Sequence, residues 1–382
     1  MHARFCSVES LASKLTESSS EEEKTRGCAG FRHRRLIHFR SKPWTGCTTR
    51  SPSSYTPLSF EYTAPNFPTP VMTTTPSSPN PGRLIPSKDG TLIYADAVGD
   101  PSKPCAVFLH GTALSAAVFN DLFADSDLLK NLYLVRYDLR GHGRSGKPET
   151  EAGYRSELFA QDFDAVASAF GVRKPVLVGW WESWKYGLPM LFSLVFQTLM
   201  ALMSGTVACD ISAHLPSDTL AGVVYLAGLP FIGPIMGRIG TPTIAGFRPG
   251  LVTTDDVDLS TSTTVGFVNS LFVNPDAVPF ELKCAWMGTA VLQSPRVRKF
   301  VLSRAQDPTK LFELGSHGLP LLIMSGTCDS QIKGDVLAEE MKQHFKNVDV
   351  NMIEGGNHAL FYDYPEEVVR SIISFVLKAN GK

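Results

Sequence analysis

The chain has 382 residues, 43% hydrophobic and 19% charged, which excludes a wholly disordered protein and suits one large α/β domain with an insertion, or two domains. Its 36 Lys and Arg against 37 Asp and Glu leave a net charge of −1, so there is no global basic field for nucleic acid. The seven cysteines (Cys6, Cys28, Cys47, Cys105, Cys209, Cys284, Cys328) are widely spaced and form no CxxC pair; this argues against a disulfide framework or a zinc site and for a reducing compartment.

Residues 1–82 differ in composition from the rest of the chain. They hold 10 Lys/Arg against 6 Asp/Glu, and 20 of the 32 residues from Ser51 to Gly82 are Ser, Thr or Pro. Such a stretch buries too little apolar surface to offset the entropy of ordering it, so disorder is expected. The basic cluster Arg32–Arg35 suits a targeting element, but Glu21–Glu23 lies beside it, and transit peptides avoid acids. No apolar stretch of roughly 7–15 residues follows the start, so no secretory signal is expected. A cytoplasmic location is the expectation, organelle targeting by this segment is left open, and Met72 is an alternative start.

From Gly82 onward the pattern is regular. Leu84-Ile85 and Leu92-Ile93-Tyr94 flank Lys88-Asp89-Gly90, a hairpin with an Asp-Gly turn. Strands are expected at Ala106–Leu109, Leu132–Tyr137, Pro175–Val178, Gly222–Ala227, Leu319–Met324 and Val348–Ile353. Phe159, Phe163, Val166 and Phe170 recur at helical spacing, a helix is expected around Asp335–Phe345, and Val369, Ile372, Ile373 and Val376 mark a last one. Buried strands alternating with amphipathic helices predict an α/β fold, a mostly parallel sheet covered on both faces. The 88 residues from 231 to 318 are too long for a loop in a compact domain. Rich in Gly, Pro and Thr at first, then helical from about Pro279, they read as a cap over a core made of residues 83–230 and 319–382.

Ligands of open α/β sheets bind beyond the carboxyl ends of the strands. Three polar clusters lie there: His110-Gly111-Thr112, Ser325-Gly326-Thr327-Cys328-Asp329 and Gly355-Gly356-Asn357-His358. An acid and, 29 residues later, a histidine, each just past a strand, is the order of the acid and base of a hydrolytic triad.

On these residues, and on the run Tyr137-Asp138-Leu139-Arg140-Gly141-His142-Gly143-Arg144-Ser145-Gly146-Lys147-Pro148, the chain from Gly82 to Lys382 resembles an α/β-hydrolase of the esterase, epoxide-hydrolase and cofactor-free haloperoxidase branch. The resemblance implies an α/β-hydrolase fold with Asp329 as triad acid and His358 as general base. It implies that Thr112 supplies half of the oxyanion hole through its backbone N–H. His142 lies in what the family uses as a structural turn and is given no catalytic role.

The family's nucleophile stands on a strained strand-to-helix turn, small-x-Ser-x-Gly. Here the turn begins as Val178-Gly179-Trp180, but the next residue is Trp181. The expected continuation appears only at Gly205-Thr206-Val207. Gly179 to Thr206 is 27 steps instead of six, so about 21 residues are extra. Most of them, Gly187–Met203, are apolar. They read as a membrane span at the lower limit of length, as a natural inserted helix, or as a short intron read through in gene prediction. The last accounts for both halves of the motif surviving at the edges of the insertion. Ser183 is the first hydroxyl after the strand, but Trp181 and Lys185 stand where small residues belong; Ser204 is flanked by Leu202 and Thr206, and Ser212 falls inside the next helix. Each also reads as a helix cap or a solvated hydroxyl.

The expected function is metal-free hydrolysis of an ester-like bond in a small apolar substrate, the chain as written being nearly inactive for want of the nucleophile. Asp329 and His358 are expected within about 2.6–3.2 Å of each other. A non-catalytic pseudoenzyme or small-molecule-binding protein of the same fold is the first alternative, and a protein anchored in a membrane through 187–203 the second. Phe267, Leu271, Phe272, Trp286 and Met287 are candidates to line an apolar pocket or to form the cap's own core. There is no Gly-rich phosphate loop or paired-cysteine site, so no cofactor and no metal are expected. The expected partner is a small molecule, with neither nucleic acid nor membrane, and the sequence leaves the oligomeric state open.

Overall fold

A computed structural model describes residues 82–180 and 205–382. Residues 1–81, with the segment expected to be disordered and Met72, lie outside the described residues. So do residues 181–204, with Trp181, Ser183, Ser204 and the apolar stretch 187–203.

Eight strands form one sheet: β1 (Arg83–Pro86), β2 (Leu92–Val98), β3 (Cys105–Leu109), β4 (Tyr133–Tyr137), β5 (Val176–Trp180), β6 (Gly222–Leu226), β7 (Leu321–Gly326) and β8 (Val348–Ile353). Their order is β1-β2-β4-β3-β5-β6-β7-β8. β1 and β2 pair antiparallel, as do β2 and β4, and every other pair is parallel. The β1–β2 turn closes through Gly90 N–H to Ser87 O at 2.9 Å, with Gly90 at φ 84°, a value an Asp-Gly turn supplies. β3, β5, β6 and β7 are buried at every position. Their unbroken apolar sequences are what parallel strands covered on both faces require. The edge strand β8 is more exposed and carries Asp349 and Asn351, polar residues that blunt an open edge.

The chain leaves β3 for β4 on one side and returns to β5 on the other. Strand order therefore reverses at β3, which opens a crevice beyond the carboxyl ends of β3 and β5. The helix Ser156–Ala169 buries Leu158, Phe159, Phe163 and Val166 and packs against Val207–His214. The last helix, Pro365–Ala379, starts with proline and two acids and ends near Lys378, a distribution that suits its dipole.

Residues 231–318 hold the helices Met236–Ile239, Pro242–Val252, Val257–Asn269, Phe280–Val291, Pro295–Leu302 and Thr309–Ser316. Helix therefore begins well before Pro279, the point expected from composition. Thr-rich and Gly-rich sequence is a weak helix former, but tertiary packing overrides it here. Asp256 caps Val257–Asn269 by accepting from Leu259 N–H at 2.8 Å. Gly250 lets Pro242–Val252 approach that helix closely, since a Cβ there would lie 1.8 Å from Thr263 Oγ1. Pro242–Val252 also packs against Pro295–Leu302, whereas Thr309–Ser316 packs against Val207–His214. Among the described residues no helix is long and apolar enough to cross a membrane.

Candidate active site

The loops after β7 and β8 meet because position 326 is bare: a Cβ on Gly326 would lie 2.0 Å from Gly356 O. Cys328 N–H donates to Gly356 O at 3.0 Å across the same junction. Asp329 Oδ1 accepts from Gln331 N–H at 2.8 Å and Ile332 N–H at 3.1 Å, which orients the carboxylate. The β8 loop is tied down by Asn357, whose Nδ2 donates to Phe272 O at 2.7 Å and whose Oδ1 accepts from Ser330 N–H at 2.9 Å.

These ties bring His358 Nδ1 to 3.0 Å from Asp329 Oδ2 and 3.1 Å from Oδ1, with both side chains fully buried. Against a carboxylate Nδ1 carries the proton, which leaves the lone pair on Nε2. His358 Nε2 is buried and has no hydrogen-bond partner among the described residues. A buried base without a partner costs free energy; it is the arrangement a proton-accepting imidazole needs before substrate arrives.

His110-Gly111-Thr112 follows β3. His110 donates from Nδ1 to Gly111 O at 2.7 Å and accepts at Nε2 from Leu139 N–H at 3.0 Å, which fixes a neutral ring. Burial pushes its pKa down. Thr112 is buried, and among the described residues its hydroxyl has no partner and its N–H meets no acceptor. The next residue, Ala113, is held at φ 60°, a left-handed conformation costly for a side chain and typical of functional turns.

The turn beginning at Asp138 supports this loop. Asp138 accepts from Ala116 N–H, Arg144 N–H and Arg144 Nε, each at 2.8 Å. Burial pushes its carboxyl up, but the hydrogen bonds and the charge of Arg144 together hold it below the usual range. His142 donates from Nδ1 to Arg140 O at 3.1 Å and accepts at Nε2 from Gln293 Nε2 at 2.8 Å. Its role is to join this turn to the cap region. Burial, then the neighbouring His110, push its pKa well below 6.5.

Trp180 ends β5. Its ring centroid lies 5.8 Å from His358, 4.8 Å from Phe361 and 5.9 Å from Trp286, and Trp286 lies 4.9 Å from Phe272. Trp286 thus comes to the site, whereas Phe267 packs against Phe247, 6.2 Å away within the cap region. Leu271 and Phe272 are buried, and Met287 is partly buried. Among the described residues, a cavity of about 640 Å³ is lined by Asp125, Glu366 and Arg370, and one of about 360 Å³ by Phe163, Arg173 and Pro216. Neither is lined by Asp329, His358 or Thr112.

The chain resumes at Gly205. A Cβ there would lie 2.4 Å from Leu229 O, so this start of the helix Val207–His214 needs a bare residue. Arg304 binds it: Nη2 donates to Thr206 Oγ1 at 2.6 Å and to Asp210 Oδ2 at 2.8 Å, with Arg304 and Asp210 fully buried. Gln306 Nε2 donates to Thr206 O at 2.9 Å. Sequence reasoning missed this cluster. Thr206 and Asp210 are one helical turn apart, which is a signal, but nothing marks Arg304 as their partner. Ser212 donates to Ala208 O at 2.7 Å inside its helix, a local role. Ser183 lies outside the described residues.

The family model described as "alpha/beta hydrolase fold" matches residues 107–180. The chain has the α/β-hydrolase fold. The matched run holds the His110-Gly111-Thr112 loop and the Asp138 turn, and it stops at Trp180, one residue before Trp181. Over its whole length the esterase RhEst1 from Rhodococcus sp. ECU1013 is similar in structure, with a TM-score of 0.62 and 27% identity, covering 77% of this chain and 98% of that one. "Probable oxidoreductase EphD" of Mycobacterium tuberculosis is 35% identical over 103 residues, 27% of this chain and 17% of that protein. "Rhodomycin D methylesterase DauP" of Streptomyces sp. strain C5 is 29% identical over 155 residues, 39% of this chain and 51% of that protein. The matched region spans under a fifth of the first curated relative and about half of the second.

Proposed function

We propose that this fold is built to hydrolyse a carboxylic-ester-like bond of a small apolar molecule. The observation that carries the reading is the buried Asp329–His358 pair, with Nδ1 engaged and Nε2 without a partner among the described residues. In the reaction a hydroxyl placed after Trp180 attacks the substrate carbonyl and gives its proton to His358 Nε2. Asp329 stabilises the imidazolium. The oxyanion is held by Thr112 N–H and by the N–H that follows the nucleophile. Collapse expels the alcohol, which takes the proton from His358, and water repeats the sequence on the acyl group. Relatives named as esterases support the same bond type. Trp286, beside Trp180, is the cap-region residue best placed to meet the substrate.

In this chain the residue after Trp180 is Trp181, which carries no nucleophilic atom. That observation favours a second reading, a non-catalytic member of the superfamily that keeps the acid–base pair. The test compares the full chain with a form in which residues 181–204 are replaced by the tripeptide Ser-Leu-Gly, both assayed on p-nitrophenyl acetate. The replaced form is expected to turn over the ester and the full chain to be nearly inert. A His358→Ala change should abolish the activity of the replaced form. An inert replaced form overturns the hydrolase reading. If instead the full chain is as active as the replaced form, Ser183→Ala is the next variant to assay.

A further inference from the structure

Trp180 Nε1–H donates to the backbone carbonyl of His358 at 3.0 Å, across 178 residues of sequence. Trp180 is 1% exposed, so in this dry setting the bond is strong and expensive to lose. The same indole lies beside the His110-Gly111-Thr112 loop, since a Cβ added at Gly111 would be 3.7 Å from its ring. It also meets Trp286 and Phe361 edge-on at 5.9 and 4.8 Å. One side chain therefore bonds to the His358 backbone, packs on Trp286 of the 231–318 segment and lies beside the loop after β3. It sits on the last residue of β5, the residue that precedes the nucleophile's place.

We infer that Trp180 is a positioning residue, resting on the hydrolase reading above: its N–H holds the His358 main chain and thereby sets the imidazole against both Asp329 and the nucleophile's place. Asp329 fixes the ring through Nδ1, and Asn357 ties the loop on the residue before His358. The indole N–H holds the carbonyl of His358 itself. A shift of this kind is costly because near-attack geometry tolerates displacements well under an ångström.

The experiment reads the low-field proton resonance of the His358 Nδ1–H···Asp329 hydrogen bond in the full chain, identified by its loss in His358→Ala. Trp180→Phe keeps an aromatic ring but removes the donor. Phe361→Leu disturbs the ring packing but keeps the donor. The resonance is expected to move or to broaden through faster exchange in Trp180→Phe and to persist in Phe361→Leu. An unchanged resonance in Trp180→Phe overturns the inference, and so does an equal change in Phe361→Leu, which would assign the effect to packing. Should Trp180→Phe fail to fold cooperatively, the Phe361→Leu result still decides, because a moved resonance there rejects the hydrogen bond as the cause. In the form with the tripeptide, Trp180→Phe is expected to lower kcat roughly tenfold with little change in KM. An unchanged kcat contradicts the inference. If the tripeptide form is inert before any further change, the hydrolase reading fails while the resonance still tests the role of Trp180.

Discussion

On the β7–β8 side of the site, Asp329 is held locally by the N–H groups of residues 331 and 332, and the His358 loop is tied through Asn357 to Phe272, 85 residues away. On the β5 side, Trp180 bonds to His358, 178 residues away, and Gly205-Thr206 lie against Leu229 and Arg304. On the hydrolase reading proposed above, the difference teaches that the acid–base pair and the nucleophile's turn are separable constructions. The first needs two loops that meet at Gly326. The second needs a strained turn held between a strand and a helix, so an insertion can remove it and leave its partner whole.

The comparison breaks first if the acid–base side is not a working unit. In the tripeptide form Asp329→Asn should reduce kcat by roughly 10⁴-fold, because the amide no longer holds the productive tautomer. Steady-state kinetics read this directly, and a loss below tenfold would mean that His358 needs no orienting carboxylate. The next largest effect belongs to the β5 side. Arg304→Ala leaves the buried Asp210 carboxylate unpaired, at a cost of about 3–5 kcal/mol in urea unfolding. Asp210→Leu combined with Arg304→Met should recover much of that loss. If the single change costs under about 1 kcal/mol, the helix start is not held by this pair. Gly205→Ala comes third, at about 1–3 kcal/mol, since its Cβ would meet the rigid Leu229 carbonyl.

Strands β3, β5, β6 and β7 are legible in the sequence because a strand covered on both faces has no polar side to interrupt it. The positions of Asp329 and His358 are legible for a related reason: each lies a few residues past such a strand. The helices between 236 and 269 are not, because what stabilises them is the fit of Gly250 against Thr263 and the burial of Ile244, Leu251 and Phe267. Local propensity carries none of that. The indole bond from Trp180 to His358 and the Arg304 cluster join residues about a hundred or more positions apart, and no periodicity or spacing records such pairs. Trp286 could be proposed only as one of several aromatic residues in the cap region, since its ring contacts with Trp180 and Phe272 arise from the path of the chain.

The smallest effect sharpens the comparison by asking how the Asp138 turn is tied to Gln293 in the 231–318 segment. His142 is buried among Arg140 O, Gln293, the His110 ring at 5.1 Å, and the charges of Arg298 and Lys147. Burial, His110 and these cations all disfavour its protonated form. Its Nε2 accepts from Gln293, a bond that a proton on Nε2 would abolish. In the folded chain the pKa therefore lies well below 6.5, while in the unfolded chain it returns to about 6.5. As pH falls through that value the unfolded state takes up a proton that the folded state refuses. Stability contributed by the neutral ring is then fully present above about pH 6.5 and declines below it, by at most about 1.4 kcal/mol per pH unit for one histidine. His110, also depressed by burial, adds a decline of the same sign. Carboxylates titrate in the lower part of this range as well, so the measurement is a difference. Urea unfolding from about pH 7.5 to about pH 5.5 is compared between the chain and His142→Gln, whose amide can still accept from Gln293. The variant should lose stability less steeply with falling pH, by about one proton's worth of slope. Equal slopes would mean that His142 takes up its proton in the folded state as readily as in the unfolded one, and that the link from the Asp138 turn to Gln293 does not depend on a neutral ring.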